Sequence, residues 1–321
     1  MKKVIIIGAS FAGLSCAKEF ANSDFDVLIL EKNSDLGKKV CASGVTIQDT
    51  EFISPMEMNY SLEPVFLCAN NRKIQMSAGR GLISSIVRPN LINRWAADLS
   101  KISNIELKLG AKVNTIKQES VILSTGEEFR FDYLIGADGA NSMVRRYLNI
   151  PTKKYLSAVQ YITKPCCKKF ELYADEDLFE KGYAWLFPNK GFSSVGACVD
   201  SSCSCMKNIR KNLDKWIEKI GVDLTDAEFE GFIINFDYRG YKFNNIFLAG
   251  DAAGLTNGLT GKGIYAACLS GRVIAQELLE KTGSTEEFDL WVAEKLNDER
   301  ELLKEGNFIV RKIGTLDKLS D

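Results

Sequence analysis

The most informative absence in this 321-residue sequence is that of histidine. Without an imidazole the chain cannot form the Ser–His or Cys–His pairs of nucleophilic catalysis. Any chemistry must therefore come from a cofactor, carboxylates, thiols, phenols or lysines. No metal site is expected, because neither Cys166-Cys167 nor Cys203-Ser204-Cys205 has the paired C-x2-C spacing of structural zinc.

Long apolar runs and an excess of one charge are also lacking. No stretch of about 18 apolar residues occurs, so no membrane-spanning helix is predicted. Lys and Arg (41) nearly balance Asp and Glu (42), which gives no general preference for nucleic acid. The odd number of cysteines, nine, indicates reduced thiols and a cytoplasmic protein. Lys2 and Lys3 before an apolar run also suggest a signal peptide, but two glycines interrupt that run.

The clearest pattern that is present lies at the start of the chain. Residues 4–7 are a short β-branched apolar run that predicts a buried strand, and a glycine-containing turn follows at residues 8–13. Helical spacing then extends over residues 14–21, and residues 26–30 predict a second strand. This is the order of a dinucleotide-binding βαβ unit.

Individual residues of this unit have predicted roles. Gly8 permits the sharp turn, Gly13 lets the helix approach the sheet, and the helix N-terminus attracts a pyrophosphate. Glu31 has the spacing expected of the acid that accepts hydrogen bonds from ribose hydroxyls. Ser10 replaces the middle glycine of the motif, but it is small and its hydroxyl can donate to a phosphate oxygen.

Two later segments each combine a strand with small residues and an acid. Residues 133–139 read Tyr-Leu-Ile-Gly-Ala-Asp-Gly, and residues 246–254 read Ile-Phe-Leu-Ala-Gly-Asp-Ala-Ala-Gly. At the carboxyl end of a parallel strand, Asp138 would lie where ligands bind in open α/β sheets. Asp251 can hydrogen-bond a polyol, and the N–H groups of residues 261–264 can face an electron-rich ring edge.

Three further features each allow two interpretations. The loop around Cys41 is either an ordinary glycine loop with a buried thiol or a place where a flat ligand approaches the backbone. Arg88, between a strand and a helix, is either a surface charge or a partner of phosphate. Tyr183, Trp185 and Phe187 share one face of a predicted strand. That face is either part of the hydrophobic core or a wall that contacts an apolar substrate.

The order of the predicted elements indicates an α/β fold: a Rossmann-like nucleotide-binding domain with an inserted, mainly antiparallel β-sheet domain. Short strands dominate the second half of the chain up to about residue 236, with one interrupting helix. The predicted division assigns to the nucleotide-binding domain residues 1–63, 80–152 and 237–285, to the substrate domain residues 64–79 and 153–236, and to a C-terminal helical segment residues 286–321.

Taken in order, the three motifs resemble the FAD-contact motifs of the p-hydroxybenzoate hydroxylase-like flavoprotein superfamily. Two further stretches are similar to the geranylgeranyl reductase family. Residues 39–44 resemble its cysteine- and glycine-rich loop, and residues 183–188, Tyr-x-Trp-x-Phe-Pro, resemble its aromatic substrate-cavity motif. Ala42 and Ser43 depart from the glycines usual in that family, and Gly258 replaces a common proline.

The resemblance implies FAD as cofactor and assigns a contact to each motif. Glu31 would hold the adenosine ribose, Asp251 the ribityl chain, and residues 261–264 would lie beside the isoalloxazine. The predicted FAD-binding residues are Gly8, Ser10, Phe11, Ala12, Gly13, Glu31, Lys32, Lys39, Cys41, Ala42, Arg88, Val113, Ala137, Asp138, Gly139, Gly250, Asp251, Gly258, Gly261, Lys262, Gly263 and Ile264. The predicted catalytic residues are Cys41, Tyr183, Trp185 and Phe187.

The resemblance also implies an activity, which is reduction of isolated C=C bonds of a geranylgeranyl-type prenyl chain on a lipid by reduced flavin. The alternative is a flavin monooxygenase or halogenase that acts on an apolar or aromatic small molecule and shares the FAD motifs. NADPH, ferredoxin or a deazaflavin is the expected electron donor, since the chain shows no separate nicotinamide motif. Nucleic acid is not an expected partner, and peripheral contact with the inner face of the membrane is a further expectation.

Overall fold

A computed structural model describes residues 1–76, 82–281, 285–303, 307 and 309–310. The predicted boundary between residues 79 and 80 and most of the predicted C-terminal segment beyond residue 303 lie outside these residues. The predicted division into domains is therefore kept as a prediction, and the sheets are described as they are observed.

The described residues form eighteen strands. In chain order they are β1 Lys2–Ile7, β2 Phe25–Leu30, β3 Gly44–Thr46, β4 Glu63–Ala69, β5 Arg72–Gln75, β6 Leu82–Ser85, β7 Ile105–Lys108, β8 Val113–Ile116, β9 Ser120–Leu123, β10 Glu128–Arg130, β11 Tyr133–Gly136, β12 Tyr155–Thr163, β13 Phe170–Tyr173, β14 Tyr183–Asn189, β15 Phe192–Asp200, β16 Glu228–Asn235, β17 Lys242–Phe243 and β18 Ile246–Leu248.

Seven α-helices accompany the strands in the same part of the chain. They are α1 Phe11–Glu19, α2 Arg88–Leu99, α3 Met143–Tyr147, α4 Glu176–Phe179, α5 Ile209–Ile220, α6 Ile264–Leu278 and α7 Glu286–Leu303.

The first sheet has the strand order β17-β18-β11-β1-β2-β7, and all neighbours are parallel except β17 and β18. Its centre is β1, where Ile6 is paired with Ile29 on one side and Ile135 on the other. All three side chains are fully buried. Helices α1 and α2 pack on one face of this sheet, and the small antiparallel sheet β10-β9-β8 packs on the other. Burial of both faces explains why the central strands read as continuous apolar runs. The predicted Rossmann-like fold is confirmed.

Glycines bring α1 close to its neighbours. Gly8 has a φ of +108°, and a Cβ on Gly13 would lie 2.0 Å from the carbonyl oxygen of Gly8. On the outer side of α1, a Cβ on Gly271 of α6 would lie 2.2 Å from the carbonyl oxygen of Ala12. Helix α1 is therefore packed between the turn after β1 and α6, with no room for side chains at these contacts.

The second sheet has the order β16-β12-β15-β14-β13-β4-β6-β3, with β5 paired to β4. Every pair is antiparallel except β13 with β4. This confirms the mainly antiparallel sheet. Strands β3 and β6 also belong to it, although they lie outside the ranges predicted for the substrate domain. The strand predicted before Arg88 is observed as β6, whereas the three residues of β3 are too few for an alternating pattern to identify that strand.

The second sheet has two different faces. Helix α5 packs on one face, where Trp216 and Leu213 contact a cluster that includes Ala184 and Leu186. Tyr183, Trp185 and Phe187 point to the opposite face and share one buried cluster. We call these three side chains the aromatic face of β14. In the described part of the chain, no helix has the length and apolarity needed to cross a membrane.

The contact between α1 and α6 gives a stability prediction. We expect Gly271→Ala to lower the free energy of unfolding by about 1–3 kcal/mol, because the added methyl group must push the two helices apart. Thermal unfolding followed by circular dichroism measures this. Gly231→Ala is the matched control, since a Cβ there has 3.7 Å to its nearest neighbour. Equal melting temperatures for the two variants would contradict the packing described here.

Candidate active site

The turns that follow β1, β11 and β18 meet at the carboxyl ends of these adjacent parallel strands. We call them the three turns. The turn after β1 touches the turn after β11, since a Cβ on Gly8 would lie 2.3 Å from the carbonyl oxygen of Ala137. The turn after β18 lies against α1, where a Cβ on Gly250 would be 3.2 Å from the Cβ of Ala12. Segments more than 100 residues apart in sequence thus form one crevice.

The N-terminus of α1 opens into this crevice. Ser10 precedes the helix, makes no capping hydrogen bond with its side chain, and no acid occupies the first turn of this described helix. The free N–H groups there form an anion-binding site. The Glu31 carboxylate accepts hydrogen bonds from the N–H groups of Ala9 (3.0 Å) and Asn33 (2.9 Å), so it ties the end of β2 to this turn.

Arg88 lies across the same turn. Its Nη2 donates to Ser10 Oγ at 2.6 Å, and its guanidinium lies 4.5 Å from the centre of the Phe11 ring. The residue is only 5% exposed. Its Nε is buried and has no hydrogen-bond partner among the residues that the structure describes. Of the two interpretations offered by the sequence, a surface charge is excluded.

Asp138 follows β11 and holds the start of α3. One oxygen, Oδ2, accepts hydrogen bonds from the N–H groups of Met143 (2.6 Å) and Val144 (3.3 Å). Burial raises the pKa of this carboxyl, and the hydrogen bonds only partly oppose the effect. The other oxygen, Oδ1, is buried and lacks a hydrogen-bond partner within the described ranges.

Asp251 follows β18 and has a charged partner from the Cys41 loop. Lys39 Nζ lies 2.6 Å from Asp251 Oδ2, and Thr256 Oγ1 donates to Asp251 Oδ1 at 2.9 Å. Burial acts to raise the pKa of Asp251, but Lys39, Thr256 and Arg88 outweigh it, so the pKa is lowered. The carboxylate therefore stays ionised and available to hydroxyl donors.

The loop of residues 256–263, which we call the 256–263 loop, joins Asp251 to α6. Asn257 Oδ1 accepts hydrogen bonds from the N–H groups of Leu259 and Thr260, both at 3.0 Å. Tyr183 donates its hydroxyl to the Thr260 carbonyl oxygen at 2.6 Å. Gly261 has a φ of +66°, which glycine adopts at no steric penalty. The loop is thus held by its own side chains and by the aromatic face of β14.

The Cys41 loop also reaches the aromatic face. The Ser43 N–H donates to Cys41 Sγ at 3.3 Å, and Ala42 packs against the cluster of the aromatic face. A Cβ on Gly44 would lie 2.9 Å from the Phe187 ring. The Cys41 loop and the 256–263 loop therefore both contact the aromatic face of β14.

A buried hydrogen-bond network connects the indole to the Cys41 loop. Trp185 Nε1 donates to Ser194 Oγ at 2.8 Å, and Ser194 Oγ donates to Gln160 Oε1 at 2.8 Å. Gln160 Nε2 contacts the carbonyl oxygen of Cys41 at 3.4 Å and Glu230 Oε2 at 2.6 Å. Both Ser194 and Gln160 are fully buried. The network fixes the orientation of the indole and its distance from the loop.

Of five further predicted FAD-binding residues, three are packed within the fold and two are exposed at the surface. Gly263 lies beside Asp251, and Ile264 begins α6 and packs on the apolar core. Val113 is buried at the start of β8, in the core beneath the first sheet. Lys32 and Lys262 are exposed. The structure shows no contact that brings Lys32 into the crevice among the residues it describes.

Several residues that shape the site were missed by sequence reasoning. Each is a single polar residue in an apolar or irregular stretch, with no motif around it. Asn235 donates to the Asp251 carbonyl oxygen at 2.8 Å, and buried Arg145 donates to the carbonyl oxygens of Asp237 and Ala252. Gln160 had one weak signal, since it interrupts the apolar pattern of β12.

The crevice fits FAD in its donor and acceptor chemistry. Uncapped N–H groups suit a pyrophosphate, the carboxylates of Glu31 and Asp251 suit ribose and ribityl hydroxyls, and Arg88 is a buried cation. Two buried polar atoms lack partners in the described structure: Asp138 Oδ1 in the turn after β11, and Nε of Arg88, which contacts the turn after β1. A ligand in the crevice would satisfy them.

The ion pair at the third turn gives a pH prediction. We expect Lys39→Met to raise the pKa of Asp251, because burial then acts against fewer positive charges. Because the pKa of Asp251 is lowered in the folded protein, its ion pair with Lys39 stabilises the protein at neutral pH. This stabilisation is lost as the pH falls through the pKa of the folded state. Carbon-13 NMR of the carboxyl group measures the change. Lys38→Met, which removes only the exposed pair with Asp35, should leave the titration of Asp251 unaltered; the same shift in both variants would contradict the assignment.

Comparison with known proteins supports this interpretation. Residues 2–164 match the pyridine nucleotide-disulphide oxidoreductase family. The chain is 32% identical to an uncharacterised protein of Methanosarcina barkeri, over 86% of this chain and 74% of that protein. It is 25% identical to the digeranylgeranylglycerophospholipid reductase of Methanosarcina acetivorans, over 88% of this chain and 76% of that enzyme.

Solved structures share the fold. A geranylgeranyl bacteriochlorophyll reductase-like protein of Thermoplasma acidophilum superposes with a TM-score of 0.73 at 20% identity, covering 95% of this chain and 84% of that one. A probable FAD-dependent monooxygenase of Pseudomonas aeruginosa gives 0.70 at 16% identity, covering 98% and 99% of the two chains. FAD is the cofactor. The chain belongs to the pyridine nucleotide-disulphide oxidoreductase family and is an FAD-dependent oxidoreductase, similar to the reductases named above.

Proposed function

We propose that this enzyme reduces isolated C=C bonds in a geranylgeranyl-type chain of a lipid. One observation supports the proposal: the Cys41 loop and the 256–263 loop both contact the aromatic face of β14. Phe187 touches Gly44, and Tyr183 donates to Thr260. An apolar wall therefore extends from the Cys41 loop to the loop that is expected beside the isoalloxazine.

The residues that would hold FAD are those of the three turns, together with Arg88 and Lys39. Bound and reduced, FAD supplies the hydride that an unactivated alkene requires. The protein contributes binding, orientation and the exclusion of water. An isolated alkene has no carbonyl to polarise, so it depends on proximity more than a conjugated substrate does.

The aromatic face suits a prenyl substrate in two ways. Its three side chains are each less than 10% exposed and present π faces next to the Cys41 loop. Burial of a prenyl chain contributes about 0.8 kcal/mol per CH2 group. Positive charge that develops on the alkene during reduction is stabilised by aromatic π faces, most strongly by an indole. The network from Trp185 to Gln160 holds that indole in one orientation.

The second hydrogen of the reduced bond arrives as a proton, and we assign its delivery to Cys41. The Sγ–H is a weak donor, and Sγ accepts a hydrogen bond from the Ser43 N–H, which fixes the position of the sulfur. The chain has no histidine for this step. NADPH, ferredoxin or a deazaflavin as electron donor and contact with a membrane surface remain part of the proposal.

The proposed activity has a direct test. We expect protein loaded with FAD and reduced without oxygen to convert a geranylgeranyl glycerophospholipid to products heavier by two hydrogen atoms for each bond, as read by mass spectrometry. A lipid with saturated phytanyl chains is the control and should not change. Hydrogen peroxide or a hydroxylated product in air, without any hydrogenated lipid, would show a monooxygenase instead.

The role of Cys41 has its own test. We expect Cys41→Ala to lower the rate of lipid reduction at least about tenfold, while FAD binding is retained, because the apolar contacts of the loop do not depend on the sulfur. Stopped-flow reoxidation of the flavin by the lipid measures this step. Cys166→Ala, at an exposed thiol in the connection between β12 and β13, is the matched control. Unchanged reoxidation in Cys41→Ala would remove the thiol from the mechanism.

A further inference from the structure

Helix α7 contains two charged residues that face inward. Lys295 Nζ and Glu299 Oε1 form an ion pair at 2.8 Å, one helical turn apart. Their side chains are 2% and 7% exposed. Withdrawing two charges from water carries a large desolvation penalty, and a buried ion pair is on that account weak evidence for a stabilising role. We call these residues the α7 pair and consider what they contact.

The α7 pair connects the helix to two segments of the active site. Glu299 Oε1 accepts a hydrogen bond from the Gly258 N–H at 2.7 Å, and Lys295 Nζ lies 3.5 Å from the Phe236 carbonyl oxygen. Gly258 belongs to the 256–263 loop, and Phe236 follows β16. A hydrogen bond to an ionised carboxylate is about twice as strong as one between neutral groups.

Position 258 fits this contact only with glycine. A Cβ there would lie 2.6 Å from the Phe236 ring, so a side chain is excluded. The hydrogen bond from the Gly258 N–H to Glu299 therefore restrains this position of the loop from the side of α7.

The rest of the loop transmits the position of Gly258 to α6. Asn257 Oδ1 accepts from the two residues after Gly258, and the Gly261 N–H donates to the Asn257 carbonyl oxygen at 2.9 Å. The loop ends at Gly263, directly before α6, whose N-terminus has no side-chain cap in the described structure. A displaced Gly258 would move these N–H groups.

We propose that the α7 pair is a positioning device that sets the orientation of the 256–263 loop, and through it the environment of the flavin ring. The proposal rests on the part of the proposed function that places the isoalloxazine beside residues 261–264, and it does not depend on the lipid substrate. Oriented N–H groups at a helix N-terminus favour the more electron-rich, reduced ring. Glu299 and Lys295 are positioning residues and touch no reacting atom.

Two double variants separate the effect of the hydrogen bond between Glu299 and Gly258 from the effect of the two buried charges. Lys295→Met with Glu299→Gln removes both charges but keeps an oxygen that can accept the Gly258 N–H. Lys295→Met with Glu299→Leu removes the charges and the acceptor. Both replace a buried ion pair by neutral side chains, a change that proteins often tolerate. Asp98→Asn with Lys101→Met removes an exposed pair on α2 and is the control.

We expect the Gln variant and the control to keep the FAD affinity and the midpoint potential of the unaltered protein. The Leu variant should bind FAD about tenfold more weakly and shift the midpoint potential to more negative values. Flavin fluorescence and dye-coupled reduction measure the two quantities, and circular dichroism checks the fold. Unaltered affinity and potential in the Leu variant would overturn the proposal, as would equal losses in the Gln and Leu variants.

A measurement on the unaltered protein covers the case in which the Leu variant does not fold. Hydrogen exchange should be slower in the 256–263 loop than in the turn at Gly126, which has open space around it. Equal exchange would overturn the proposal. Protein that binds no FAD at all would refute both this proposal and the proposed function. If the Leu variant shifts the midpoint potential of the flavin but the unaltered protein does not reduce the lipid, only the proposed function is refuted.

Discussion

The architecture of this enzyme depends on close backbone contact around α1. Where Gly13 meets Gly8 and Gly271 meets Ala12, even one methyl group has no space. These contacts fix the start of α1 relative to the turns after β11 and β18. The crevice for FAD is a consequence of this packing, because three turns from distant parts of the sequence can share one ligand only if their strands and helices approach within backbone distance.

Charged side chains then connect the elements that surround the crevice. Lys39 reaches Asp251 from the Cys41 loop, buried Arg145 joins α3 to the carbonyl oxygens of Asp237 and Ala252, and the α7 pair reaches Gly258. Each contact joins elements that are far apart in sequence. Desolvated charges are poor general stabilisers but are directional, so they suit a site whose parts come from many elements.

The sequence correctly predicts those elements that are determined by residues close together in the chain. The βαβ unit follows from a β-branched run, the glycine turn at residues 8–13 and the helical spacing after it, all of which are local features of the sequence. The aromatic face followed from the alternation of side chains along β14. The resemblance to known motifs added the identity of the cofactor, which periodicity alone does not contain.

The contacts that sequence reasoning missed are long-range and carried by single residues. Gln160 lies 119 residues from Cys41, and Glu299 lies 41 residues from Gly258. No local pattern marks either residue, since their partners are chosen by the fold. Strand β3 was missed for a different reason, because three residues are too few to show a period.

The parallel pairing of β13 with β4 has a consequence for how the molecule is made. Leu172 of β13 pairs with Leu67 of β4, so the middle of the second sheet joins one segment that precedes β11 of the first sheet in the sequence to one that follows it. Closing such a loop is entropically slow. Because β14 pairs with β13 and β13 with β4, the aromatic face can be completed only after residues 63–189 have all been synthesised.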